Sequence, residues 1–192
     1  MEKIKTNLLP YGIEFENLCK LLIDTKSFIS GSFVLKAIET TDTTWNSSDI
    51  DIFTSHANLE IFEKFLIEHG YLRDDTIHTY KYYIVPNDLK NIVNGCQTYI
   101  NGSKKIQIIM NNSESMLDPE AYVRKFDISI CSNYFDGQNI HCLFQDDISN
   151  KKFTVTIGKY IMKKDYYLRS QLCRINTYIS RGYTLTNINM DA

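Results

Sequence analysis

The run Asp49-Ile50-Asp51-Ile52-Phe53 sets carboxylates against isoleucines at a period of two. That period belongs to an extended strand, whose successive side chains leave opposite faces. Ile50 and Ile52 therefore face a core. Asp49 and Asp51 share the other face, with Cα atoms about 6 to 7 Å apart. Two such carboxylates repel each other unless a cation lies between them, and hard divalent ions such as Mg²⁺ favour carboxylate oxygens. Alternating acids also occur on the solvated face of an edge strand, so the residues around the pair decide its meaning.

Upstream, Lys26-Ser27-Phe28-Ile29-Ser30-Gly31 reads as a brief strand that ends in a tight turn, and Phe33-Val34-Leu35-Lys36-Ala37-Ile38 follows as a helix. Gly31-Ser32 would present backbone N–H groups and a hydroxyl where that helix begins, which suits a polyphosphate. Glycine lets the backbone approach a ligand with no side chain in the way. Ser32 also has a plainer reading as the cap of the helix. Phosphates on one side and metal-binding carboxylates on the other suit metal-assisted phosphoryl or nucleotidyl transfer.

Phe28-Ile29-Ser30-Gly31-Ser32-Phe33, followed by Ser48-Asp49-Ile50-Asp51-Ile52-Phe53, resembles the nucleotidyltransferase superfamily with the polymerase-β-like fold. Its pattern is an apolar residue, Gly-Ser or Gly-Gly, a helix and loop, then Asp-x-Asp. The resemblance implies a mixed α/β fold and transfer of a nucleoside monophosphate from an NTP to an acceptor hydroxyl, with pyrophosphate released. Gly31, Ser32 and Lys36 would contact the nucleotide. Asp49 and Asp51 would bind two Mg²⁺ ions, with Mn²⁺ as a substitute. The acceptor, whether RNA, protein or small molecule, is left open. The stretch from Phe126 to Gly137, with Arg181-Gly182-Tyr183, also resembles nucleotidyltransferase-like proteins of large DNA viruses and fungi.

The superfamily pattern asks for a third acid, which ligates one metal and deprotonates the acceptor. Lys105-Ile106-Gln107-Ile108-Ile109 has the right apolar frame, yet Gln107 stands at the polar position. An amide is a poor Mg²⁺ ligand and cannot act as a base. Asp127 is the favoured alternative and completes the expected catalytic and metal set. Its plainer reading is a strand residue held by Arg124 or Lys125. The 16 residues between Ser32 and Asp49 make the connection slightly long, so the polar loop 40–48 is expected to flank the site. If neither Gln107 nor Asp127 serves the metals, the expectation becomes a module that binds nucleotide or protein without catalysis.

Elsewhere, apolar spacing predicts helices over 12–24 and 57–69, the latter closed by Gly70. Strands are expected at 80–85, within 94–102 and at 104–110. Asp118-Pro119-Glu120 signals a helix reaching about 126, Asp127–Cys131 reads as another strand, and Asp136-Gly137 as a hairpin turn. A helix is expected over 158–181, with Ile161, Leu168, Leu172, Ile175 and Ile179 inward. Lys159, Lys163, Lys164, Arg169, Arg174 and Arg181, interleaved with tyrosines, form either a solvated face or a track for phosphates. The whole reads as one α/β domain over 1–192: a core at about 12–157, a mixed sheet flanked by helices, and a C-terminal helical segment at about 158–183.

Composition removes other classes. With 43% hydrophobic residues the chain can build a core, which excludes intrinsic disorder. The balance of 21 basic against 23 acidic residues argues against non-specific DNA binding. No apolar run approaches the ~20 residues of a membrane span, and the N-terminus does not read as a signal peptide. Cys19, Cys96, Cys131, Cys142 and Cys173 form no C-x-x-C pair, which disfavours a disulfide framework or zinc site and points to a reducing, cytoplasmic compartment.

Overall fold

The alternation at 49–53 becomes the second strand of a seven-stranded sheet. The computed structural model describes residues 1–39, 45–47, 49–76, 93–111, 118–157 and 165–190. The strand read at 80–85 lies outside them, as do Lys159, Ile161, Lys163 and Lys164. Chain order is α1 (Glu2–Leu8), α2 (Phe15–Thr25), β1 (Phe28–Ser30), α3 (Ser32–Ile38), β2 (Asp49–Ser55), α4 (Leu59–Glu68), β3 (Leu72–Arg73), β4 (Val93–Asn101), β5 (Lys104–Asn111), α5 (Pro119–Val123), β6 (Asn133–Phe135), β7 (Ile140–Cys142), α6 (Gln145–Ser149), β8 (Lys152–Ile157), α7 (Asp165–Ser180) and β9 (Thr184–Met190). The large sheet runs β3-β4-β5-β2-β1-β6-β7, and β8 pairs with β9 in a second, two-stranded sheet. Within the large sheet β2 and β5 are parallel and the other pairings antiparallel, giving the mixed α/β architecture the sequence led us to expect.

Each face of β2 meets its own surroundings. Ile50 and Ile52 are buried with Ile106 and Ile108 of β5 and with Leu18, Leu22, Phe33, Phe62 and Leu66 of the covering helices. On the opposite face, Phe53 stacks on Phe28 with ring centroids 5.0 Å apart, and Tyr122 meets Phe53 edge-on at 5.1 Å. Cys96, Ile109, Val123 and Tyr134 complete that buried cluster. Asp49 and Asp51 share this second face, so the acidic pair stands on the same surface as a packed apolar cluster. Burial of several aromatic side chains fixes the sheet under the pair.

Local signals at element ends hold. Asp118 caps α5, its Oδ1 accepting from the backbone N–H groups of Glu120 and Ala121. Asp136 closes the β6–β7 hairpin by accepting from the N–H groups of Gln138 and Asn139. Gly182 stands at φ 87 after α7.

The strand read at Asp127–Cys131 is corrected. Only Ile128 bridges a strand partner, Val155, and Ser129–Cys131 is a 3-10 turn. Side-chain hydrogen bonds compete with the ladder here: Ser129 Oγ donates to Asp147 and accepts from the backbone N–H of Thr154. The C-terminal region is also more than helix, because β9 follows α7 and pairs with β8. The inward face of α7 differs too. Gln171, Ile175 and Tyr178 are buried, whereas Leu172 and Ile179 are 49% and 47% exposed. Ile175 and Tyr178 pack a second core with Leu35, Ile128, Ile130, Phe153 and Val155. No described helix is long and apolar enough to cross a membrane.

Candidate active site

Ser30 of β1 pairs with Asp51 of β2, and directly after Ser30 the chain bends at Gly31 with φ 83 and ψ −148. Glycine alone adopts that conformation at low cost. A Cβ added at Gly31 would stand 3.4 Å from Oδ2 of Asp51. The bend and the carboxylate therefore share one cleft, and the missing side chain keeps the approach open.

The elements after the bend extend this cleft. Ser32 opens α3, and its Oγ lies 3.0 Å from Oγ of Ser47, which in turn donates to the backbone carbonyl of Asp49 at 2.6 Å. Part of the polar loop is thereby tied to both halves of the motif. Lys36 lies four residues after Ser32, on the same side of the helix, and donates to Asn46 Oδ1 at 2.7 Å. Burial lowers its pKa, and the nearby charge of Lys104 adds to the shift. Lys104 itself sits 5.2 Å from the ring centroid of Tyr11.

On the sheet, parallel register sets Asp49 beside Lys105 and Asp51 beside Gln107. Lys105 Nζ reaches Asp49 Oδ2 at 2.9 Å. Gln107 Nε2 turns toward Thr98 Oγ1 at 3.4 Å and Cys96 Sγ at 3.7 Å on β4. Asp51 keeps some exposure as a residue, yet its Oδ1 is buried with no hydrogen-bond partner. Burial, reinforced by the charge of Asp49, pushes its carboxyl up to about 8, against the opposing pull of Lys105 and Arg174. A carboxyl held protonated by desolvation and a like charge is one whose ionised form a cation would relieve. Paired carboxylate oxygens are donors of the kind a hard divalent ion takes, and Asp49 and Asp51 would hold such an ion.

Asp127 is held by α7. Its Oδ2 accepts from Arg174 Nη1 at 2.5 Å and from Gln171 Nε2 at 3.0 Å, both on α7. Its carbonyl accepts from the N–H of Thr156, beside the second sheet. Among the described residues no three His, Cys, Asp or Glu side chains converge as a metal-binding group. The structure thus sets Gly31 against Asp51, links Ser32 through Ser47 to Asp49, ties Lys36 to Asn46 of the adjoining loop, and bonds Asp127 to α7. Of the basic residues read on that helix, Arg169 is exposed, while Arg174 and Arg181 turn inward. The Arg181 guanidinium covers Trp45 at 4.1 Å, so this loop tryptophan packs back on its own chain.

Sequence reasoning missed Lys105 and Ser47. Lys105 had a legible signal, since it stands two before Gln107 and so on the same face of β5 as that residue. The five cysteines are free.

One sequence family accounts for most of this chain. Its model, described as Gabija anti-defense 2 family protein, matches residues 3–168. The chain belongs to the Gabija anti-defense 2 family. No curated protein matches this family member in sequence. Among solved structures, a tRNA-processing enzyme in an apo form aligns with a TM-score of 0.54 at 12% identity, over 90% of this chain and 42% of that one. A tRNA nucleotidyltransferase complexed with a primer tRNA and an incoming ATP analog aligns at 0.51 and 13% identity, over 90% and 46%. A CCA-adding enzyme with ATP aligns at 0.50 and 16% identity, over 79% and 36%. The chain spans less than half the length of these structures. Likeness at such identities is one of fold, and this family member has a nucleotidyltransferase-like fold.

Proposed function

We propose that this chain binds a nucleoside triphosphate with a divalent cation in the cleft between Gly31 and Asp51 and transfers the nucleoside monophosphate to an acceptor hydroxyl. The observation that carries the reading is the closeness of the Gly31 bend to the Asp51 carboxylate, where a Cβ added to the glycine would stand 3.4 Å from Oδ2. It sets the open backbone of the bend directly beside an acidic pair. The open bend at Gly31, the Ser32 hydroxyl and the Lys36 ammonium receive the phosphates. Asp49 and Asp51 hold the cation, Mg²⁺ or Mn²⁺, which offsets phosphate charge at the transfer step. We assign this chemistry to the anti-Gabija-defence role that the family's name states. Because the structural neighbours are a tRNA-processing enzyme and a tRNA nucleotidyltransferase, an RNA end is the first acceptor to test, ahead of protein or small-molecule hydroxyls.

A second reading, nucleotide binding without transfer, is favoured by Gln107 beside Asp51 and by the engagement of Asp127 with α7. One experiment separates them. The protein is incubated with each α-labelled NTP, Mg²⁺ or Mn²⁺, and RNA, protein or small-molecule acceptors, and both pyrophosphate and label transfer are followed. Release and transfer that vanish in Asp51→Asn support transfer. Cation-dependent binding with no pyrophosphate supports the second reading. If neither NTP nor cation binds, both fail.

A further inference from the structure

We infer that this site takes one divalent cation with its nucleotide where the sequence resemblance implied two, and that the Lys105 ammonium supplies the second positive charge. The inference rests on the nucleotide-binding reading above, and three observations carry it. Lys105 and Gln107 of β5 stand in register with Asp49 and Asp51, so one face holds two carboxylates, one ammonium and one amide. Lys105 Nζ lies 2.9 Å from Asp49 Oδ2 and already neutralises that carboxylate. Asp51, in contrast, has a buried Oδ1 with no hydrogen-bond partner.

The protein's ligand set then limits the number of ions. Besides the nucleotide's own phosphates, the described residues of this face offer two anionic ligands, Asp49 and Asp51, one of them already paired with Lys105. A second ion would need a further anionic ligand between β2 and β5, where the residue beside Asp51 is the neutral Gln107. Gln107 Nε2 points its donor end at Thr98 and Cys96, and an amide nitrogen is no metal ligand. No third acidic, histidine or cysteine side chain joins the pair among the described residues. One ion, shared by Asp51, Asp49 and the phosphates, satisfies the buried oxygen, while the ammonium holds the outer side of Asp49. Lys105 is thus a positioning and charge-compensating residue.

The test counts ions. Mn²⁺ is titrated into the intact protein with a non-hydrolysable NTP analogue in excess over protein, and protein-bound Mn²⁺ is read by electron paramagnetic resonance, corrected for an analogue-only control. Thermal melts verify that each variant is folded, and Gln107→Glu stands in if Gln107→Asp does not fold. The expected count is one ion per chain in the unmodified protein and two in Gln107→Asp. Lys105→Met should bind Mn²⁺ several-fold tighter without nucleotide, because it removes the ammonium that competes for Asp49. Two ions in the unmodified protein, or a count that stays at one in both carboxylate variants, overturns the inference and leaves the proposed function standing. No bound ion in the unmodified protein overturns the proposed function itself.

Discussion

Gly31 and Asp51 meet across the β1–β2 pair: a methyl group in place of the glycine hydrogen would lie 3.4 Å from a carboxylate oxygen of the aspartate. The contact spans a turn and the neighbouring strand and depends on Ser30 pairing with Asp51 in antiparallel register. Slipping that register by one residue would turn both carboxylates toward the core. The aromatic pair Phe28–Phe53, two residues further along the same face, pins the register from behind.

Gly31→Ala should therefore fail twice. The backbone at φ 83 strains any other residue by about 1–3 kcal/mol, and the added carbon narrows the phosphate approach. Denaturant melts should show that loss, and a fluorescent NTP analogue should bind many-fold more weakly. A folded Gly31→Ala protein with undiminished NTP affinity would remove the cleft from consideration.

Asp51→Asn should abolish turnover and leave the melting temperature equal near neutral pH and higher above pH 8, where it deletes a desolvated charge and the repulsion from Asp49. Asp49→Asn should also abolish turnover. Its loss of the Lys105 pair should change stability by no more than about 1 kcal/mol, because both partners keep solvent contact. Calorimetry beside a pyrophosphate assay reads both effects, and a large drop in melting temperature for Asp51→Asn would mark a structural role.

The raised carboxyl of Asp51 has a signed consequence. Its folded pKa of about 8 stands above the ordinary aspartate value of about 3.9. Between those limits the folded state keeps a proton that the unfolded state releases, so Asp51 makes stability fall as pH rises through that window. Metal-free protein should thus lose more melting temperature from pH 5 to pH 8 than Asp51→Asn does. Mg²⁺ should recover part of the loss at pH 8. Identical slopes for the two proteins would contradict the burial described.

Arg174→Met would leave the Asp127 carboxylate, 10% exposed, with Gln171 as its remaining described side-chain partner. The cost should be about 1–3 kcal/mol, as for other buried polar groups that lose a partner. Asp127→Asn should be destabilised in the same sense and still bind NTP. Should Asp127→Asn instead melt normally and lose transfer alone, Asp127 would return to the reacting centre.

What could be read in advance was what neighbours along the chain decide. The alternation of Asp49 to Ile52, the Gly31-Ser32 turn, the Asp118 cap and the Asp136-Gly137 turn each follow from a few consecutive residues. Strand period and cap chemistry are local. Asp127 shows where that reasoning stops. Its neighbours alternate like a strand, but the carboxylate bonds to Arg174, 47 positions away, and the segment follows its side chain instead of a ladder. In α7 the apolar spacing favoured Leu172 and Ile179, while Gln171 took the buried place because it reaches Asp127.

By itself, then, the sequence determined the mixed α/β character, the acidic face of β2 and the glycine bend, because backbone period and backbone freedom are properties of short segments. Tertiary structure alone decided that Lys105 neutralises Asp49, that Gln107 stands beside Asp51, and that Asp127 belongs to α7. Those pairings depend on strand register and helix docking, which are set by the burial of whole faces and by no residue's immediate neighbours.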